Sequence, residues 1–186
     1  MKNFILIFSL FFFNNISFSQ ERSVDIENSY VKWIGKEITT KTHFGKLILS
    51  GGNILINNDQ VTGEVKVNME SLLVEDLKGE WAKKLEGHLK SQDFFYVDNY
   101  KESSLKAISS SKSSKNSYKV NGLLTIKDIT HPITFDLSVN GETLTTKLVF
   151  DRSKYNVRFR SGSFFENLGD KLILDDIELE VKLLLN

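Results

Sequence analysis

Strict alternation of apolar and polar residues constrains this chain more than any other feature. In 176–184, Ile177, Leu179, Val181 and Leu183 interleave with Asp176, Glu178, Glu180 and Lys182. A side-chain period of two gives a strand one dry face and one wet face. The same pattern recurs at Ile133, Phe135, Leu137 and Val139, and again at Val65, Val67 and Met69. Strands buried on both faces of a parallel sheet read instead as continuous apolar runs, so the alternation predicts an antiparallel sheet with one solvated face.

Turn residues divide the chain into hairpins. Ser50-Gly51-Gly52-Asn53, Asn57-Asn58-Asp59-Gln60 and Asn140-Gly141-Glu142 each separate two β-like runs. Strands are predicted at 30–39, 45–50, 53–56, 61–69, 104–110, 118–126, 133–139, 144–150 and 172–184. The serine- and lysine-rich stretch 109–117 reads as a surface hairpin loop. One amphipathic helix is predicted over 79–90, with a further turn of helix at 71–74. Its underside is formed by Trp81, Leu85 and Leu89, which recur every four residues and so share one helical face. A sheet of about eight strands removes its edges by closing into a barrel, and its interior is then either packed with side chains or wide enough for one ligand. The fold class is therefore all-β: an antiparallel, closed barrel with one or two short helices capping one end.

The first residues carry one lysine, a predominantly apolar run over 4–13, and a polar stretch ending Ser17-Phe18-Ser19-Gln20. An apolar core of about ten residues is too short to cross a bilayer of roughly 30 Å as a helix. Small residues at Ser17 and Ser19 suit a signal peptidase cutting before Gln20. Residues 1–19 are thus expected to be a signal peptide, and 20–186 a single soluble domain exported to the periplasm or the medium. The chain has no cysteine, which excludes disulfides, metal thiolates, thiol catalysis and a lipidated cysteine anchor. Twenty-four basic residues balance twenty-four acidic ones, leaving no global field to attract nucleic acid.

Catalytic signatures are missing. His43, His88 and His131 never fall at the spacing that places two imidazoles on one metal, so no metal and no cofactor are expected. No Gly-x-Ser-x-Gly elbow and no phosphate-cradling glycine loop is present. The adjacent carboxylates Glu75-Asp76 and Asp175-Asp176 read as solvated turn residues. Arg152, following an aromatic strand, suits either a phosphate or quinone head group or a pairing with Asp151 or a surface carboxylate.

Several short pieces occur in a distinctive order: Val31-Lys32-Trp33-Ile34-Gly35, His43-Phe44-Gly45, Met69-Glu70-Ser71-Leu72, His88-Leu89 through Phe94-Phe95, Gly122-Leu123-Leu124-Thr125-Ile126, and Phe150-Asp151-Arg152-Ser153. In their order and spacing they resemble the YceI-like family of secreted lipid-binding proteins, over nearly all of the chain after the signal. The family usually has a glycine shortly after this arginine-containing piece, where this chain has Asn156-Val157. Further on, Ser161-Gly162-Ser163-Phe164-Phe165 and Leu168-Gly169-Asp170-Lys171 match members with a longer final hairpin.

The resemblance implies a lipocalin-like barrel that takes a polyisoprenoid, an isoprenoid quinone or another amphiphilic lipid into its interior for transport or storage, with transient membrane contact. Trp33, Phe44, Leu85, Leu89, Phe94, Phe95, Phe135, Leu137 and Phe150 are the expected apolar lining, with His43, His88 and Arg152 as polar groups. On that expectation Phe135→Trp or Leu137→Trp fills the cavity and weakens lipid uptake. Two other classes stay open: an enzyme acting on a small hydrophobic substrate through His88 or Arg152, and an interaction protein whose barrel is filled by side chains.

Overall fold

The alternating stretches become the staves of a barrel. The computed structural model describes residues 20–57 and 59–186; the signal expected at 1–19 lies outside the described residues. Its strands are β1 (Gln20–Ser23), β2 (Tyr30–Lys36), β3 (Thr42–Asn57), β4 (Gln60–Val74), β5 (Glu102–Ser114), β6 (Ser117–Ile126), β7 (Ile129–Asn140), β8 (Thr143–Asp151) and β9 (Asp176–Leu184), with helix α1 (Glu80–Lys90) between β4 and β5. All pairings are antiparallel, in the order β1-β3-β2-β9-β8-β7-β6-β5-β4, and a β3–β4 pairing closes the ring. β1 pairs with Asn53 to Ile56 and β2 with Thr42 to Leu47, so the two share β3 end to end and occupy one stave of an eight-stranded barrel. Among the described residues no helix is long and apolar enough to cross a membrane.

Three local expectations are corrected. Ser50-Gly51-Gly52-Asn53 is a bulge inside the long β3 rather than a turn, with the register against β4 shifting between Leu49 and Gly51. Residues 71–74 continue β4 instead of starting a helix. Leu72 and Val74 point inward, while Leu73 and Gly45 complete the ladder with Lys46 and Val74. The tract 109–117 is mostly paired strand, from Ser109 opposite Asn121 to Ser114 opposite Ser117. Backbone ladders do not require apolar side chains, and an outward, solvated stave end tolerates serine and lysine.

The interior has two halves. At the end carrying the β3–β4, β5–β6 and β7–β8 turns, Leu49, Ile54, Val61, Tyr118, Val120, Leu144, Leu183 and Leu185 pack into a continuous core. The other end carries the β2–β3 and β6–β7 turns, α1 and the irregular segment 152–175. Outside, charges on β9 meet neighbouring strands: Glu180 accepts from Lys147 at 2.5 Å and lies 3.3 Å from Lys32, and Glu178 pairs with Lys36.

Gly45 sets the approach of β3 to the end of β4. A Cβ there would lie 1.8 Å from the Leu73 carbonyl oxygen and 2.9 Å from Trp33 Nε1, which itself donates to that oxygen at 3.1 Å. Gly51 faces open space, with nothing within 4 Å of an added Cβ. Gly45→Ala should therefore lower stability by about 2 kcal/mol or more in denaturant titration, the scale of overpacking, while Gly51→Ala changes it by less than about 0.5 kcal/mol. Equal midpoints for the two variants would disprove the close-contact account.

Candidate functional site

The half of the barrel under α1 is hollow. A cavity of about 370 Å³ opens there, with walls almost wholly apolar. This lies within the roughly 300–1,000 Å³ of ordinary ligand pockets. Inward residues of seven staves line it: Val31 and Trp33 of β2, Leu47 of β3, Val65, Val67, Met69 and Leu72 of β4, Leu105 of β5, Leu124 and Ile126 of β6, Leu148 and Phe150 of β8, and Ile177, Leu179 and Val181 of β9. β7 contributes none. The lid is formed by Leu85, His88 and Leu89 of α1 with Phe94 and Phe95 just after it. The few polar groups include Lys36, Glu37 and His43 around the β2–β3 turn, Ser103 and Ser104 of β5, and Arg160 of the segment 152–175.

Specific contacts seat the lid on the barrel. Glu86 Oε1 accepts from the Val74 backbone N–H at 2.9 Å, and Lys90 Nζ donates to the Glu70 carbonyl at 2.8 Å. Beyond the helix the backbone folds back on it, with the N–H groups of Phe95 and Val97 donating to the Leu89 and Lys90 carbonyls at 3.1 and 2.9 Å. This turn places Phe94 inward, where it meets Phe159 at 5.7 Å between ring centroids.

Of the residues expected to line the interior, Trp33, Leu85, Leu89, Phe94, Phe95 and Phe150 are at the cavity wall. Phe44, Phe135 and Leu137 are not. Phe44 falls on the outward register of β3, between the inward His43 and Gly45, and its ring lies 5.1 Å from Lys32 Nζ. Phe135 and Leu137 sit opposite Val120 and Tyr118 in the filled half, so tryptophan at either position adds bulk to packed core and not to the cavity. Trp81 shares the angular face of Leu85 and Leu89 but is 70% exposed. It lies about 6 Å further along the axis, in the first turn, where side chains lean off the helix N-terminus. Lys84 Nζ stands 5.7 Å from its ring.

The three polar candidates separate. His43 lies at the cavity wall, and its Nδ1 is 2.7 Å from Asp76 Oδ2; Asp76 also accepts from the Phe44 N–H at 3.0 Å. His88 also reaches the wall, its ring edge-on to Phe94 at 5.2 Å and to Phe159 at 4.4 Å, with a buried Nε2 that has no hydrogen-bond partner. Arg152 faces no ligand site. It is completely buried, with Nε donating to Leu174 O at 3.2 Å, Nη1 to Val157 O and Phe159 O at 3.1 and 3.0 Å, and Nη2 to Ile173 O at 3.1 Å. Its carboxylate partner is Asp175, 3.2 Å away, and not Asp151. Burial holds the Arg152 pKa below its ordinary value, and Asp175 and then Asp151 pull it back up. The αL position expected of glycine after Arg152 is held by Asn156, at φ 57°.

Asp76 and Asp175, expected as solvated turn residues, are instead largely buried and paired with His43 and Arg152, and Glu86 carries no mark in the sequence. Asp175 also accepts from the hydroxyls of Ser161 and Ser163 at 2.8 and 2.7 Å. Their identity as isolated or adjacent carboxylates carried no signal, because each acts through partners 12 or more positions away. The segment 156–175, expected as a hairpin, is an irregular strap held by Arg152. Among the described residues no cluster of three or more histidine, aspartate or glutamate side chains is placed to hold a metal.

A closed antiparallel barrel with a capped apolar cavity defines a lipocalin-like β-barrel. The YceI-like domain model matches residues 23–185, and the chain belongs to that family. Its fold is similar to Burkholderia cenocepacia BcnA, with TM-score 0.66 and 19% identity over 86% of this chain and 98% of that one. It is also similar to a polyisoprenoid binding domain from Saccharophagus degradans implicated in plant cell wall breakdown, with TM-score 0.56 and 10% identity over 89% and 97%. The Campylobacter jejuni YCEI protein matches with TM-score 0.53 and 14% identity over 100% and 99%. No curated protein is matched by the sequence.

Replacing Arg152 removes one cation from four carbonyls at once. Arg152→Met, and also Arg152→Lys, which cannot span the four carbonyls, should each cost about 3 kcal/mol or more. For a domain of this size that corresponds to a fall of roughly 10 °C in melting temperature. Melting within 2 °C of the unmodified protein would show that the clamp does not hold the strap.

Proposed function

We propose that this protein is an exported binding protein for a long hydrophobic ligand, a polyisoprenoid or an isoprenoid quinone, held in the barrel for transport or storage without covalent chemistry. The capped apolar cavity carries this reading. A side-chain-filled interaction barrel would have no such space. The Saccharophagus domain of the same fold is described as polyisoprenoid binding, which supports the choice of ligand class. The apolar run before Ser17 and Ser19 supports export.

The energetics suit a carrier. Each methylene taken from water into the barrel would gain about 0.8 kcal/mol, so a prenyl chain drawn from water would not readily leave. A membrane is the relevant reference, and there the chain is already out of water, so transfer into the barrel is nearly balanced. Loading then proceeds through transient membrane contact. Exposed Ile38, Trp81, Phe164 and Phe165, on the turn, helix start and strap at the open end, are the side chains suited to it.

Native mass spectrometry with organic extraction of the exported protein, purified without detergent, should reveal a co-purifying prenyl lipid or quinone. Leu105→Trp and Leu179→Trp, which put an indole into the cavity, should reduce the bound fraction about ten-fold while the protein stays folded by circular dichroism. An empty mass that takes up no added isoprenoid, or folded tryptophan variants that load as well as the parent, would refute the reading.

A further inference from the structure

A second concavity lies against the cavity mouth. It is formed by the turn after α1, the β6–β7 turn and the start of the strap, and it shares Phe159 and Arg160 with the apolar cavity. Its character is opposite. Three cations, Lys127, Arg158 and Arg160, face one carboxylate, Asp93, beside the phenol rings of Tyr96 and Tyr100.

These three cations are clustered, and among the described residues none of them forms an ion pair. Lys32, Lys36, Lys66, Lys112 and Lys147 each have a carboxylate within 4.0 Å, whereas none of the ion pairs among the described residues includes Lys127, Arg158 or Arg160. Their partners are neutral. Lys127 Nζ donates to the Phe94 and Asn156 carbonyls at 3.1 and 2.9 Å, leaving one of its three N–H groups unused. Arg158 donates through Nε to Asn156 Oδ1, and its guanidinium lies 4.8 Å from the Phe164 ring centroid. Arg160 stands 5.1 Å over Phe159, the ring that divides the two concavities. Burial first, and then the charge of Arg158, holds the Lys127 ammonium below its ordinary pKa, as an uncompensated positive site requires.

From this geometry we infer that the cleft binds the anionic head group, a phosphate, pyrophosphate or carboxylate, of the amphiphile whose tail lies in the barrel. The inference rests on the hydrophobic-ligand reading and adds the ligand's charge to it. Guanidinium groups match the oxygens of a phosphate or carboxylate with paired donors, and a head group at Arg160 leaves its chain beside the cavity mouth. A charged head is far too costly to bury in the apolar cavity itself.

Isothermal titration calorimetry with farnesyl pyrophosphate, farnesol and inorganic pyrophosphate, each below any micelle concentration, tests this. The parent protein should bind farnesyl pyrophosphate on the order of ten-fold more tightly than farnesol, a gap that narrows with added salt. R158E, which reverses the charge of one exposed side chain outside the apolar cavity wall and keeps the backbone groups that Arg152 uses, should lose most of that gap and keep its farnesol affinity. Equal affinities in the parent, or a gap that survives in R158E, would overturn the head-group site and leave the hydrophobic-ligand reading standing. Inorganic pyrophosphate binding as tightly as the prenyl form would overturn it in favour of a free-anion site. Failure of both prenyl compounds to bind would overturn it together with the hydrophobic-ligand reading.

Discussion

One buried guanidinium organises the open end of this barrel. Arg152 directly follows β8 and spends its donors on the carbonyls of Val157, Phe159, Ile173 and Leu174, drawing both limbs of the strap 156–175 to one point. A backbone without a regular ladder still has to satisfy its carbonyls, and a rigid planar fork does so for four at once. The consequences reach the site directly. Phe159 is fixed against His88, Arg160 is set at the mouth, and Ile173 is positioned to bridge Glu37 and Ser161. An isolated buried cation would be prohibitive, and Asp175, itself steadied by Ser161 and Ser163, provides the compensating charge.

The division of the barrel into a packed half and a hollow half follows from what each must do. On the scale at which engineered cavities destabilise proteins, about 24 cal/mol per Å³, a 370 Å³ void corresponds to roughly 9 kcal/mol. That is comparable to the whole net stability of an ordinary domain. The void persists because its walls are held from outside it. Closure through β3–β4 removes the free edge, the core around Val120 and Leu144 anchors the far end, and Glu86 and Lys90 fasten the lid to β4. A ligand that fills the space restores dispersion contacts that the wall lacks when empty.

The sequence made some of this legible and hid the rest for physical reasons. Period-two alternation identified β4, β7 and β9 because only one face of each is dry. It could not show how far along a stave the interior stays hollow: Phe135 and Phe150 are equally apolar and inward, yet one meets Val120 in the packed half and the other the cavity. The Gly51-Gly52 pair has the chemistry of a turn and of a bulge alike, and only its partner strand decides between them. Trp81 has the right helical angle for the lid and the wrong height along the axis. Arg152, expected at a ligand head group or beside Asp151 or a surface carboxylate, instead serves carbonyls, which every residue possesses and no sequence pattern marks.

An apolar cavity selects weakly. Hydrophobic burial is non-directional, so one prenyl or acyl chain is taken nearly as well as another of similar bulk, and the membrane competes on almost equal terms. Discrimination must come from polar groups at fixed positions. In the cavity these are sparse: His43 is already engaged by Asp76, and His88 Nε2 is shut between aromatic rings. Lys127 and Arg158 stand outside the dry volume and Arg160 at its mouth, next to water, where an ion can be bound and released without full desolvation. On the proposed reading, a tail site near balance with the membrane, coupled to a head site whose strength falls with ionic strength, would set choice of cargo and release in different parts of the molecule.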